Sequence, residues 1–267
     1  MRHSPAKLLV IGATGSVGRH VIDVALENKY QVRALIRSKN SISDVRPNVE
    51  WIPGDVTEEV TLKSAVQGID AVAFTHGTYG DMKAAETVDY GAVRNVLHAL
   101  GSRKVRIALM TTIGATDRKG AHDWKRRGEW LVRMSGHPYT IVRPAWFDCN
   151  GPDEHQLLML QGDKALVGSP KDGVISRRQL AEVLVGSLSS DAAMSKTFEL
   201  HAVRGEPQPD LGPLFADLEP DKAGSIHGCR DAQNMLLENE PQAIRSDIRR
   251  VQDQAVSIQN CEAHFDL

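Results

Sequence analysis

Three observations predict an α/β fold built on a doubly wound parallel sheet, with small substrate-binding elements after it. Short apolar runs alternate with helical patterns over residues 1–145, as expected for parallel strands covered by helices on both faces. The first run, Leu8-Leu9-Val10-Ile11, breaks into the turn Gly12-Ala13-Thr14-Gly15-Ser16-Val17-Gly18. That turn opens directly into an amphipathic helix with Val17, Val21, Val24 and Ala25 on its inner side.

Strands are expected at Lys7–Ile11, Gln31–Ile36, Val49–Ile52, Asp70–Thr75, Val105–Thr112 and Tyr139–Val142. Helices are expected from about Val17 to Asn28, Glu58 to Gln67, Met82 to Leu100 and Asp123 to Ser135. Right-handed crossovers between them leave a ligand crevice at the strand carboxyl ends. Beyond Pro144 the alternation loosens. Lys164–Val167 and Lys196–Leu200 read as short strands and Arg177–Leu188 as a helix, the place for substrate-binding elements laid over the crevice. From Gly205 the chain is rich in Pro, Gln, Asp and Glu, with helical fragments near Pro213–Asp217 and Pro241–Ile258. Residues 1–204 are thus expected to form one domain, and 205–267 a partly ordered extension that serves as a tail, a dimer arm or a lid.

The 41% hydrophobic content suffices for an ordinary core, and 32 basic against 34 acidic residues leave a net charge of -2. That balance points away from nucleic acid and membrane surfaces as partners. Cys149, Cys229 and Cys261 lack CxxC spacing and the histidines lack HxxxH or HxH spacing, so neither a metal site nor a disulfide framework is expected. The expected compartment is a reducing cytoplasm, and a homodimer stays open.

The glycine turn carries the chemistry. A strand running into a helix here puts unpaired helix N–H groups and the positive dipole end at the mouth of the turn, where a pyrophosphate can sit. Gly12 permits the tight turn, Gly15 lets the backbone approach phosphates, and Gly18 lets helix and strand pack closely. The competing reading is an ordinary strand–helix turn. Arg37 ends the second strand, where an acid would bind the adenosine ribose of NAD. Arg37-Ser38-Lys39 instead offers positive charge and a hydroxyl, which suits the 2′-phosphate of NADP, or forms a solvated basic loop. Arg19 adds to the phosphate site or points to solvent.

With these residues in view, the chain resembles the NmrA-like, NAD(P)H-binding group of atypical short-chain dehydrogenases/reductases, which have a Rossmann-like fold. The resemblance spans roughly residues 6 to 202 and rests on Gly12 to Gly18, Pro53-Gly54-Asp55-Val56, Thr111-Thr112-Ile113-Gly114 and Trp124-Lys125-Arg126-Arg127-Gly128-Glu129. It rests further on Ser135-Gly136-His137-Pro138-Tyr139-Thr140-Ile141-Val142-Arg143-Pro144 and on Ile175-Ser176-Arg177-Arg178-Gln179-Leu180-Ala181.

The resemblance implies that Asp55 and Val56 lie beside the adenine, although alone they read as a turn with a helix cap. It implies that Thr75-His76-Gly77 lines the nicotinamide ribose, that Thr111 faces the cofactor and that Thr112 is the active-site hydroxyl bonding a substrate carbonyl. Read without the family, both threonines are β-branched residues ending a strand. Lys125 would reach the nicotinamide ribose; its rival reading is a solvated face, Lys125-Arg126-Arg127, with Glu129 as helical partner. Pro144 would lie beneath the nicotinamide carboxamide. Trp146 and Phe147 would shape the substrate pocket or belong to the core.

One departure stands out. Members with full dehydrogenase chemistry carry a Tyr four residues before the lysine, where the ammonium lowers the phenol's pKa for proton transfer. Here that position is Ala121. His122 and Asp123 stand beside it as surrogate acids, with Asp123 also a candidate helix cap, and His76 or water are further proton sources. The leading expectation is an NADP-dependent oxidoreductase that reduces a small or medium-sized carbonyl or conjugated compound. The alternatives are a non-catalytic NADP(H)-binding redox sensor or assembly protein, and an epimerase or dehydratase.

Overall fold

β1 (Lys7–Ile11) shows why the sheet is covered twice. Leu8 and Val10 enter one hydrophobic cluster, Leu9 and Ile11 the other, and all four are fully buried. Burying an aliphatic side chain of this size stabilises the fold by about 1.5–3 kcal/mol. The computed structural model describes residues 7–38, 46–79 and 81–263; Lys39 lies outside them.

The chain continues through β2 (Gln31–Ile36), β3 (Val49–Pro53), β4 (Ala71–Phe74), β5 (Arg106–Met110), β6 (Tyr139–Pro144), β7 (Trp146–Phe147), β8 (Gln156–Leu160), β9 (Val174–Ile175) and β10 (Lys196–Val203). Among the described residues these form one sheet in the order β3-β2-β1-β4-β5-β6-β10-β9-β7, with β8 also on β10. Strands β1 to β6 and β10 run parallel. β1 pairs β2 on one side, with Lys7 opposite Gln31, and β4 on the other, with Leu8 opposite Ala71. The strand order reverses between β1 and β4, so the carboxyl ends of these two strands flank a crevice.

The helices are α1 (Ser16–Glu27), α2 (Glu59–Leu62), α3 (Met82–Ala84), α4 (Gly91–Leu100), α5 (Ala121–Met134), α6 (Arg177–Ser187), α7 (Gly212–Ala216) and α8 (Gln242–Ala263). α1, α6 and α7 cover one face of the sheet; α2, α4, α5 and α8 cover the other. α8 packs on α5 and α4 through Ile244, Ile248, Val251 and Ile258, a spacing that keeps one helical stripe inward. Its Asp247 accepts a hydrogen bond from Tyr90 at 2.8 Å.

Several expectations change. Lys164–Val167 is not a strand, because the Asp172 carboxylate takes the Val167 and Gly168 N–H groups. The strand is Gln156–Leu160, which pairs antiparallel with β10. The helix expected from Glu58 to Gln67 stops at Leu62 and continues as turns to Gly68. The helix expected from Met82 to Leu100 is interrupted by a π-helical segment, Ala85–Tyr90, between α3 and α4.

Candidate active site

Gly12 has φ +82, and a Cβ there would stand 2.7 Å from the His76 backbone nitrogen, so only glycine lets β1 and the loop after β4 come this close. A Cβ on Gly18 would stand 2.2 Å from the Gly12 oxygen. Gly15 is the N-cap of α1 and uses no side-chain cap, which leaves the first N–H groups of the helix open to an anion. A cleft of about 1420 Å³ begins here. Its lining includes Gly12, Gly15, Ser16, Arg37, Asp55 and Val56 together with Thr14, Val17, His122, Trp146, Phe147 and Leu166. Volume, glycine cradle and open helix end fit a dinucleotide.

Most of the residues singled out in the sequence meet in this cleft, including Thr75, His76, Gly77, Thr111, Thr112, Lys125 and Pro144. Ala13, Gly18 and Ser38 do not line it: Ala13 and Gly18 are buried behind the turn, and Ser38 is exposed. Asp55 accepts hydrogen bonds from the Thr57 N–H and hydroxyl, both at 2.8 Å. These bonds, with the nearby Arg37 charge, hold its carboxyl below the usual range. Trp146 is 42% exposed and Phe147 is half-buried against the core, and both line the cleft.

Lys125 is not part of an exposed basic face. Its Nζ lies 3.0 Å from Asp89 Oδ2, with the two side chains 14% and 2% exposed. Asp89 also accepts from the Thr78 N–H and the Thr78 hydroxyl, each at 2.9 Å. One carboxylate therefore ties the lysine of α5 to the loop after β4. Asp89 sits in the π-helical segment, a local widening that recurs at functional sites. Sequence reading missed it; a charged residue on the buried side of a helical pattern was the available signal.

The rest of the supposed basic face is also internal. Arg126 is buried, donating to Asn234 Oδ1 at 2.6 Å, and Arg127 binds both oxygens of Glu240. Glu129 is fully buried and receives Arg133 at 3.0 Å and Arg143 at 2.6 Å. Burial acts to raise its pKa, but the two guanidinium groups outweigh that and hold it low. Thr111 donates its hydroxyl to Glu129 at 2.7 Å, so that hydroxyl faces the protein interior. Thr112 lines the cleft and donates its hydroxyl to the Ile113 oxygen at 3.0 Å.

The histidines divide. His76 Nε2 lies 3.3 Å from the Asp89 backbone oxygen and therefore carries the proton, leaving Nδ1 buried as an unmatched acceptor. Burial, reinforced by Lys125, lowers its pKa to about 4, so at neutral pH it has no second proton to give. His122 Nδ1 lies 3.0 Å from the Gly114 oxygen, and this bond requires the proton on Nδ1. Its Nε2 is then the unprotonated ring nitrogen. Asp123 pairs with Arg118 at 3.2 Å and does not line the cleft; the N-cap of α5 is Gly120. Ala121 lines the cleft and offers no acidic group.

Among the described residues no cluster of three or more His, Cys, Asp or Glu could hold a metal ion, and no helix is long and apolar enough to cross a membrane. Residues 12–191 match a family model described as NAD(P)H-binding. The chain is 26% identical over 271 residues to sanguinarine reductase of Eschscholzia californica, covering 82% of this chain and 98% of that one. It is 26% identical over 211 residues to the photosystem II assembly factor Ycf39 of Trieres chinensis, covering 74% of this chain and 64% of that one. In fold it is similar to the oxidoreductase ylbE of Lactococcus lactis, with a TM-score of 0.61 and 17% identity over 75% of this chain and 92% of that one. With the glycine cradle, the open helix end and a match over most of its length, this chain belongs to the NAD(P)H-binding family.

Proposed function

We propose that this protein is an NADP-dependent reductase of a small or medium-sized carbonyl or conjugated organic compound. The observation that carries this reading is a single continuous cleft, lined by Arg37, the glycine turn, Thr112 and Lys125, that one extended ligand can occupy. Arg37 would hold the 2′-phosphate and Gly12 to Gly18 the pyrophosphate, with Asp55 and Val56 beside the adenine. Thr75, His76, Gly77, Thr111 and Pro144 would line the nicotinamide end.

When bound, the reduced nicotinamide supplies the hydride. The protein contributes position and charge. Lys125, kept in place by Asp89 at 3.0 Å, presents a fixed ammonium toward the ribose and the developing negative charge. Thr112, its hydroxyl turned from the Ile113 oxygen, would orient the acceptor oxygen, and solvent, directly or relayed through His122 Nε2, would deliver the proton that the missing tyrosine would have given. Trp146, Phe147 and Leu166 give the cleft an apolar lining, which suits an organic substrate rather than a highly charged one. Similarity to sanguinarine reductase supports this reading.

A second reading, a cofactor-occupied sensor or assembly protein, is favoured by Ala121 standing where the acid is expected and by similarity to a photosystem II assembly factor. Two measurements separate them. Mass spectrometry of the purified protein should detect NADP(H), and a screen of carbonyls, quinones and conjugated dyes should find a compound that speeds NADPH oxidation. Bound NADP(H) with no turnover across the screen would move the assignment to the sensor.

A further inference from the structure

Arg177 begins α6, a helix outside the part of the fold that sequence reasoning assigned to the cofactor. The guanidinium nevertheless reaches the glycine turn: its Nε donates to Ser16 Oγ at 3.0 Å. It also pairs with Asp148 and lies over the Phe147 ring, 4.8 Å from the centroid. Ser16 and Phe147 both line the cleft, and Arg177 touches both from just outside its lining. α1 and α6 pack directly together, so this bridge sits on a firm base. Arg177 retains 24% side-chain exposure, and Asp148 is 49% exposed.

The local backbone supports a held position. Asp148 has φ 54, a left-handed conformation uncommon for a non-glycine residue, and its Oδ1 accepts the Arg177 N–H at 2.9 Å. Asp148 N in turn donates to the Ile175 oxygen at 2.9 Å. The strand–turn after β6 and the start of α6 are thus locked together around one guanidinium. A dinucleotide pyrophosphate brings two negative charges to the turn, where the α1 N-terminus offers only backbone N–H groups and partial charge. Arg19, the other cation of the turn, has its Nε on the Thr14 oxygen at 3.1 Å.

We propose that Arg177 is a pyrophosphate-binding residue that also braces Phe147, joining cofactor occupancy to the substrate wall. The proposal rests on the dinucleotide reading of the cleft. A guanidinium matches two phosphate oxygens in a planar fork, which an ammonium cannot do. Asp148 neutralises and aims this group while the site is empty, and the phosphate would share it when filled. Phe147, under the same guanidinium, is then held in one position exactly when a substrate can react, without any movement of the sheet.

The test is calorimetry on the full chain with two probes, NADPH and adenosine 2′-monophosphate, which keeps the 2′-phosphate and lacks the pyrophosphate. Arg177→Gln should weaken NADPH binding about 10- to 100-fold and leave adenosine 2′-monophosphate within about twofold. Arg177→Lys should recover part of the loss, because charge returns without the fork. Asp148→Asn keeps the backbone cap and removes the competing charge, so it should tighten NADPH binding about threefold. Unchanged NADPH binding by Arg177→Gln, equal losses for both probes, or weaker binding by Asp148→Asn would overturn the proposal. Failure of the parent protein to bind either NADPH or NADH would overturn the dinucleotide reading itself, a distinguishable result.

Discussion

The Lys125 ammonium and the Asp89 carboxylate form a nearly buried pair, 3.0 Å apart, at the floor of the cleft. Asp89 also fixes Thr78, so one residue in a π-helical segment sets both the charge and the shape of the loop after β4. Removing one partner of a buried pair leaves an uncompensated charge, and Lys125 keeps some solvent contact that softens the cost. Asp89→Asn should therefore lower stability by about 2–3 kcal/mol in urea unfolding. It should also depress turnover, because Lys125 loses its anchor. Lys125→Met should weaken both turnover and cofactor binding. A variant Asp89→Asn with parent-like stability and turnover would remove the pair from the argument.

Arg37 should decide between the two nicotinamide dinucleotides. A charge-assisted bond to a 2′-phosphate contributes about 1.5–3 kcal/mol, or roughly ten- to a hundredfold in affinity. Arg37→Ala should lose that much NADPH affinity and leave NADH nearly untouched. Equal losses for both, or tighter NADH binding by the parent protein, would count against NADP as the cofactor.

Thr112 lines the cleft and donates its hydroxyl to the neighbouring Ile113 carbonyl, from which it can turn to a ligand, whereas Thr111 donates its own to the buried Glu129. Removing a donor aimed at a developing oxyanion commonly costs about a hundredfold or more in turnover. Thr112→Val should show such a loss on the best substrate found, with NADPH affinity unchanged. Thr111→Val should instead act mainly on stability. Matching turnover in Thr112→Val and the parent would exclude a catalytic role for that hydroxyl.

Glu129 lies between Arg133 and Arg143, and Arg143 also binds Asp231 at 2.7 Å. Burial raises and Arg143 more than offsets it at Asp231, whose pKa falls to about 2. Glu129→Gln keeps the shape but leaves two buried guanidinium groups short of one charge. The expected cost is about 3–5 kcal/mol, read as a lower urea midpoint with an unchanged slope.

His137 gives a pH signature away from the cleft. Its Nδ1 accepts the Val105 N–H at 3.3 Å, and burial lowers its pKa to about 4 from 6.5. The unfolded chain therefore binds more protons between those values, so stability rises with pH. The histidine's contribution is complete above pH 6.5 and is lost as pH falls toward 4. Each unit in that window is worth on the order of 1.4 kcal/mol. The stability difference between the parent and His137→Asn should grow in favour of the variant as pH drops from 6.5 to 4. A difference independent of pH would contradict a neutral buried imidazole.

Much of this molecule is legible in one dimension because the responsible forces are local. Alternate burial of Leu8 and Val10 against Leu9 and Ile11 is written in a continuous apolar run. The requirement for Gly12 follows from a backbone conformation that side chains resist. The run from Lys125 to Glu129 shows the opposite case. By itself it reads as a charged helix surface, because charge and helical spacing are all the chain reveals there. Its true environment depends on partners far away in sequence: Asp89 for Lys125, Asn234 for Arg126, Glu240 for Arg127 and Arg143 for Glu129. All four partners come from other secondary elements or from the segment after Gly205, which only the folded chain brings alongside α5. Local sequence determined the parallel strands and the glycine turn. Tertiary structure decided which charges are buried, because desolvation and pairing depend on what packs against a residue and not on what precedes it.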